Sequence, residues 1–233
     1  SSDLGSTAER LAAVRTGSGT TVCADGTLAL DERGLLPVDG AAKTENLELA
    51  GVNGNWWIGL SLLHTLFLRE HNAVVARLRI DHPDRDGAWL FDKARLVVSA
   101  LLAKIHTVEW TPALMDSPAG RIAMRGNYWG LMGERSYNAF GRLSDSEVIN
   151  GIPASPVDHH GAPFAMTEEF TAVYRLHSLM PDAYSFRRAA DDSEILQTDL
   201  AGVSHGASRT LYEKMRFEDA LYSVCTEHPG ALT

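Results

Sequence analysis

The sequence predicts a mainly α-helical protein, and three patterns support this prediction. Apolar residues recur every three or four positions over residues 56–79 and again from about residue 87 to 111, a spacing that puts them on one face of a helix. Glycines and prolines divide residues 116–166 into short pieces. Near the N-terminus, residues 21–30 are patterned as a small β-hairpin.

Composition and charge indicate which classes of protein the sequence fits. The 233 residues are 45% hydrophobic and 22% charged, which is ordinary for a globular domain. The net charge of -9 argues against a general nucleic-acid binder. No apolar run approaches the roughly 18–20 residues that cross a bilayer, and no N-terminal signal pattern is present. Cys23 and Cys225, the only cysteines, are expected to be reduced thiols of an intracellular protein.

The elements follow in chain order. Asp25-Gly26 forms the turn of the hairpin, which we expect to be a surface excursion. The first long helix carries an apolar face and ends at His82-Pro83. That face consists of Leu60, Leu63, Phe67, His71, Val74 and Leu78. The second begins near Asp86 or Gly87 and stops before Pro112. A short turn joins the two helices, which predicts an antiparallel pair.

A later helix carries the residues with the most chemistry. Thr167 is its predicted N-cap, Glu168 and Glu169 lie in its first turn, and Pro181 ends it. A last helix is predicted over residues 207–216.

On that later helix, Tyr174 and His177 are three residues apart and therefore share a face. A neutral imidazole nitrogen can bind a haem iron, and a phenol beside the haem can lose an electron and a proton. The spacing alone also fits a buried tyrosine and a histidine that caps helix-terminal carbonyls.

The sequence around these two residues resembles a known family. Residues 173–182 are similar to the proximal-histidine segment of the haem peroxidase–cyclooxygenase superfamily, and the chain is most like its fatty-acid alpha-dioxygenases. Further matching segments lie at 55–72, 103–111 and 161–174, in the family's order. The resemblance implies a haem peroxidase-like helical domain, of which residues 1–233 form the central part of a single catalytic domain.

The resemblance also implies a reaction. His177 would be the axial ligand of haem b, and Tyr174 would form a radical after hydrogen peroxide oxidises the haem. That radical would take hydrogen from the carbon next to the carboxylate of a fatty acid, and dioxygen would add there to give a 2-hydroperoxy acid. His106 and Thr111 would hold the carboxylate. Residue types that bind haem covalently are absent near Trp56-Trp57, so a non-covalent haem is expected.

Some parts that the family uses are not in this sequence. None of the first 63 residues is the expected distal histidine. Ser1 would be the last ligand of a calcium loop whose other residues are absent. An arginine that completes the carboxylate anchor in the family is also absent. The sequence therefore resembles the middle of a larger enzyme.

Two other functions stay open: a superfamily peroxidase that oxidises small donors, and a non-catalytic helical module that binds a lipid or a partner. Localisation also stays open, with the cytoplasm or a peripheral membrane contact preferred. The segment from Arg69 to Asn72 is expected to be structural. The adjacent His159 and His160 fit surface residues better than a metal pair.

Overall fold

The structure is a computed structural model that describes residues 21–38, 46–49, 54–155, 168, 169, 172 and 180–228. The chain divides into two compact units. The first unit is Ser1–Val98 with Leu176–Thr233, and the second is Ser99–Arg175. That residues 1–233 belong to one catalytic domain stays a prediction.

Helices dominate the described residues, as the sequence predicts. They are α1 (Ile58–Asp81), α2 (Gly87–Lys104), a π-helical segment (Ile105–Trp110), α3 (Thr111–Leu114), α4 (Pro118–Trp129), α5 (Gly133–Phe140), α6 (Glu147–Asn150), a 3-10 turn (Ala201–Val203), α7 (Gly206–Leu211) and α8 (Phe217–Thr226). Two strands, β1 (Ala183–Arg187) and β2 (Glu194–Asp199), form an antiparallel hairpin. No helix within the described ranges is both long and apolar enough to span a membrane.

The two long helices that the periodicity predicted are present, but the buried face of α1 is not the predicted one. Leu63 is 51% exposed, whereas Leu62 and Val75 are buried. Helix α1 ends where the sequence predicts, and the backbone N–H of His82 donates to the carbonyl of Leu78 at 2.8 Å. Pro83 follows and cannot continue the helix. Side chains of α1 and α2 pack together in a small cluster of Val75, Leu90 and Ala94.

The N-terminal hairpin is present in reduced form. Val22 and Leu28 make a single antiparallel bridge across the Asp25-Gly26 turn. The segment that follows joins the core, because Leu35 and Leu36 are 2% and 0% exposed.

The core of the first unit gathers α1, the β1–β2 hairpin, α7 and α8. Ile58 and Leu62 of α1 pack with Phe186 of β1, with Tyr212 and with Phe217. Burying an apolar side chain of this size contributes about 1.5–3 kcal/mol. The hairpin and α8 were not predicted, and α7 is shorter than the predicted helix over 207–216.

In the second unit the chain continues past the predicted end of the second helix. It changes to π-helical geometry at Ile105 and resumes as α3, with Pro112 in its first turn. A proline is tolerated there because the first backbone N–H groups of a helix have no intrahelical acceptor.

The predicted breaks in residues 116–166 are confirmed, within the described range, at Gly130 and Gly151. Both have positive φ, 56° and 77°, and end α4 and α6. A Cβ on Gly151 would lie 2.2 Å from the carbonyl oxygen of Tyr128. These two glycines therefore let the ends of α4 and α6 meet.

Candidate functional site

The predicted carboxylate anchor, His106 and Thr111, lies in and directly after the π-helical segment. Five positions along an α-helix are about 140° apart around its axis, so these residues would not share a face there. A π-helix closes i to i+5 hydrogen bonds instead. The backbone N–H of Thr111 donates to the carbonyl of His106, so the change in helix geometry brings the two residues together.

The two residues are also linked by a side chain. The hydroxyl of Thr111 donates to the carbonyl oxygen of His106 at 2.7 Å. Because a hydroxyl has one proton and two lone pairs, it must turn away from this carbonyl to donate to a ligand.

The imidazole of His106 stacks on the indole of Trp110, one turn further along. The ring centroids are 5.0 Å apart and the ring planes differ by 25°. His106 is exposed and Trp110 is 37% exposed. The stack restricts the plane of the imidazole.

An open hollow of about 190 Å³ lies between the π-helical segment and α4. Its lining is mainly apolar and aromatic: Thr107, Val108, Pro112, Met124, Arg125, Tyr128 and Trp129. Arg125 is the one cationic residue among those that line the hollow. Sequence reasoning missed this hollow, although the spacing of Met124, Arg125 and Tyr128 puts them on neighbouring positions of one helix face.

The segment from Arg69 to Asn72 is structural, as expected. Three of its four side chains, those of Arg69, His71 and Asn72, bind the backbone of residues 26–34. The Nε of Arg69 donates to the carbonyl of Gly34 at 2.8 Å. Asn72 pairs with both backbone groups of Leu28, at 2.7 and 2.9 Å.

His71 completes this anchoring of the N-terminal segment. Its Nε2 lies 3.1 Å from the carbonyl oxygen of Gly26, and its ring contacts Phe91. Burial lowers the pKa of His71, and the bond to Gly26 opposes that shift. A neutral imidazole that donates from Nε2 fits this environment.

The tryptophan pair is also held by the core of the first unit. The Nε1 of Trp56 donates to the fully buried carboxylate of Glu48 at 3.0 Å. The ring of Trp57 contacts that of Tyr184 with centroids 6.2 Å apart.

Several predicted site residues lie outside the described residues: Tyr174, His177, Ser1, Thr167, His159 and His160. Of the helix predicted to carry Tyr174 and His177, Glu168, Glu169 and Ala172 are described, and all three are helical. Elsewhere in the described part of the chain, no group of three or more His, Cys, Asp or Glu residues could hold a metal ion. The proposed iron ligand, a single histidine, belongs to the undescribed part.

Comparison with known proteins assigns the family. The model of the animal haem peroxidase family matches residues 4–233. The chain belongs to the animal haem peroxidase family. Within it, the chain is 38% identical over 163 residues to the alpha-dioxygenase PIOX of Oryza sativa and 40% identical over 159 residues to alpha-dioxygenase 1 of Arabidopsis thaliana.

Solved structures of this family agree with the fold. The fatty acid alpha-dioxygenase of Arabidopsis thaliana matches with a TM-score of 0.77 and 33% identity, over 97% of this chain. A variant of the Oryza sativa enzyme, determined with palmitic acid, matches with a TM-score of 0.75 and 32% identity, over 96% of this chain. The predicted helical peroxidase-like fold and the resemblance to alpha-dioxygenases are therefore confirmed.

The chain spans only part of these relatives. The two sequence matches include 70% and 68% of this chain. They include only 26% and 24% of the length of the two relatives. It covers 35% and 36% of the two solved chains.

Proposed function

We propose that the protein takes part in haem-dependent oxygenation of fatty acids at the alpha carbon. Its similarity to alpha-dioxygenases supports this reading. The observation that carries it is the π-helical register of His106 and Thr111, because this geometry gathers the two residues expected to hold a carboxylate.

In this proposal the carboxylate binds beside the exposed imidazole of His106. A protonated or hydrogen-bonded imidazole attracts an anionic head group. Thr111 adds a second donor when its hydroxyl leaves the His106 carbonyl. The neighbouring hollow supports the same chemistry, because its apolar walls suit a hydrocarbon chain and Arg125 suits an anion.

His177 would bind the iron of a non-covalent haem b, which supplies oxidising power when it reacts with hydrogen peroxide. Tyr174, one turn earlier on the predicted helix, would give up an electron and a proton and become a phenoxyl radical. The radical would remove one hydrogen atom from the alpha carbon and return to a phenol. Dioxygen would then add to the carbon radical to give a peroxyl radical. The phenol of Tyr174 would return its hydrogen atom to that peroxyl radical, which gives the 2-hydroperoxy acid and restores the phenoxyl radical.

Calcium is the second metal in the proposal. Ser1 would be the last ligand of the calcium loop, with the other oxygen ligands supplied by residues that this sequence does not contain.

The experiment compares two tyrosine variants of the complete polypeptide loaded with haem. We expect Tyr174→Phe to abolish fatty-acid-dependent oxygen uptake and to leave the haem absorption spectrum unchanged. Tyr137→Phe is the matched control, because Tyr137 packs on Trp129 in the second unit and has no role in the proposed chemistry. Oxygen uptake that survives in Tyr174→Phe would rule out the radical assignment.

A Thr111→Val arm tests the carboxylate site separately. We expect KM for the fatty acid to rise about tenfold, the loss of one charge-assisted hydrogen bond, with little change in kcat. If the wild-type protein oxidises small donors but neither it nor any variant consumes fatty acid, the protein is a peroxidase and not an oxygenase.

A further inference from the structure

Three arginines of the first unit surround an open hollow of about 250 Å³, which contains none of the residues proposed to act in the oxygenation. Arg33, Arg69 and Arg216 line it together with Leu35, Phe217 and Glu218. We call this group the arginine hollow. Its side chains carry three positive charges and one negative charge, although the chain as a whole has a net charge of -9. A local excess of two positive charges on such a protein marks a site for an anion.

Arg69 is the fixed element of the arginine hollow. Its Nε donates to the Gly34 carbonyl, and its guanidinium lies over the ring of Phe217, 4.2 Å from the centroid. Within the described residues its two terminal nitrogens have no hydrogen-bond partner. A guanidinium held in place with free terminal N–H groups is organised in advance for a bidentate oxyanion.

The other two arginines have donors to spare. Arg33 uses one terminal nitrogen to donate to the carbonyl of Tyr212. The Nε of Arg216 lies 3.2 Å from a carboxylate oxygen of Glu218, but the two side chains are 79% and 55% exposed. An ion pair this exposed contributes about 0–1 kcal/mol. A ligand with more charge than one carboxylate can therefore replace Glu218 as the partner of Arg216.

The start of helix α8 adds further donors at the same place. Arg216 is the N-cap residue of this ten-residue helix, and its side chain makes no capping hydrogen bond. The first backbone N–H groups of a helix have no intrahelical acceptor and carry partial positive charge. These amides strengthen an anion site that the arginines already define.

We propose that the arginine hollow binds a phosphate group, either as free phosphate or as the phosphate monoester of a lipid head group. A phosphate monoester carries about -1.5 to -2 charges at pH 7, which matches the local excess of two. Its several oxygens can accept from Arg33, Arg69 and Arg216 together. This proposal does not depend on the oxygenase activity, and its test needs no haem.

The test measures binding to the full chain by calorimetry with inorganic phosphate and by co-sedimentation with vesicles. One set of vesicles contains phosphatidic acid in phosphatidylcholine, and the other is phosphatidylcholine alone. We expect saturable binding that Arg69→Gln weakens at least about tenfold. Arg77→Gln is the control, since Arg77 lies on the same helix as Arg69, α1, but outside the arginine hollow, in an exposed ion pair with Asp81. It removes the same charge and should leave binding unchanged.

A second variant is expected to bind phosphate more tightly, a result that misfolding cannot explain. Glu218→Gln removes the one carboxylate of the arginine hollow, and we expect it to tighten binding about threefold at low salt. Glu134→Gln is its control, because Glu134 is also exposed in the first turn of a helix, α5. A folding defect cannot produce tighter binding in one of these variants alone.

The two probes separate the sources of the phosphate. Binding of inorganic phosphate assigns a free phosphate or soluble monoester, and binding of phosphatidic acid vesicles alone assigns a lipid head group. The proposal is overturned if neither probe binds, if Arg69→Gln binds as well as wild type, or if Arg77→Gln loses as much affinity as Arg69→Gln.

Discussion

The two units differ in how many of their apolar side chains are buried. Among the described residues, every buried hydrophobic side chain belongs to the first unit, from Leu35 to Ala220. The described part of the second unit exposes large apolar side chains, with Leu131 83% exposed, Ile122 73% and Phe140 71%. The first unit exposes some as well, such as Ile80 at 74%, but it also has a buried core. Apolar surface removed from water contributes about 25 cal/mol per Å², so the first unit has a source of stability that the second largely lacks.

The second unit is held mainly by hydrogen bonds at its turns. Arg142 donates to the carbonyls of Gly151, Pro153 and Asp145. The side-chain oxygen of Asn150 accepts from the backbone of Leu143 and Ser144. Bonds of this kind fix the path of the chain, but each contributes only about 0.5–1.5 kcal/mol net.

The first unit combines its core with a buried ionic network. Arg209 pairs with Asp31 and, at 3.4 Å, with Glu48, which is fully buried and also accepts from Trp56. Arg209 donates to the carbonyl of Leu36 as well. The network links the N-terminal segment to α7, so charge and packing act on the same contact.

The largest expected effect of this difference is on local stability. Backbone amides in the middle of α1 should exchange with deuterium at least about 100-fold more slowly than those of α4 and α5, because opening α1 exposes the core. Hydrogen exchange of the full chain, followed by mass spectrometry of its peptides, measures this. Equal protection in α1 and α4 would contradict the contrast between the units.

The next effect concerns the ionic network. Arg209→Met should lower the free energy of unfolding by about 3–5 kcal/mol, because it removes a cation that pairs with the buried Glu48 carboxylate. Chemical denaturation measures the change.

Two variants sharpen that result. Adding Glu48→Gln to Arg209→Met should recover part of the loss, because the negative charge that Arg209 offset is then removed as well. Arg77→Met, which removes an exposed ion pair, should change stability by less than about 1 kcal/mol. A loss in Arg77→Met as large as that in Arg209→Met would show that burial does not set the effect.

The smallest effect is on pH dependence. Burial lowers the pKa of both His64 and His71 below 6.5 in the first unit. The unfolded chain therefore binds protons before the folded chain as the pH falls, so stability decreases below about pH 6.5 and does not depend on these groups above it.

The measurement is the melting temperature between pH 7.5 and pH 5. His71→Gln should flatten its fall, and His82→Gln, which changes an exposed histidine, should not. An unchanged pH profile in His71→Gln would exclude His71 as a source of the pH dependence.

The elements that the sequence predicted well are those with a local cause. Helix α1 ends at His82-Pro83 because a proline there cannot donate to the helix, and the breaks at Gly130 and Gly151 follow from backbone freedom that only glycine has. The family was also recognisable, because its motifs keep their order and separation. The β1–β2 hairpin was not predicted, because β1 is only five residues long and its buried Tyr184 and Phe186 gain their burial from packing in the core with Phe217 and Ala220 of α8.

The candidate site divides in the same way. The sequence named His106 and Thr111 through their resemblance to a family motif, but their spacing of five fits no face of an α-helix. Only the π-helical turn brings them together, and the residue types in this segment do not predict a π-helical turn. The arginine hollow is a sharper case, because Arg33, Arg69 and Arg216 come from three distant parts of the chain.

By itself the sequence determined the helical class, the C-terminal end of the first long helix and the family, because periodicity, helix-ending residues and motif order are properties of neighbours along the chain. The tertiary structure decided which polar residues meet, from the Asp31–Arg209–Glu48 network to the arginine hollow. Such meetings depend on how buried surfaces pack, and packing joins residues whose separation in sequence carries no local signal.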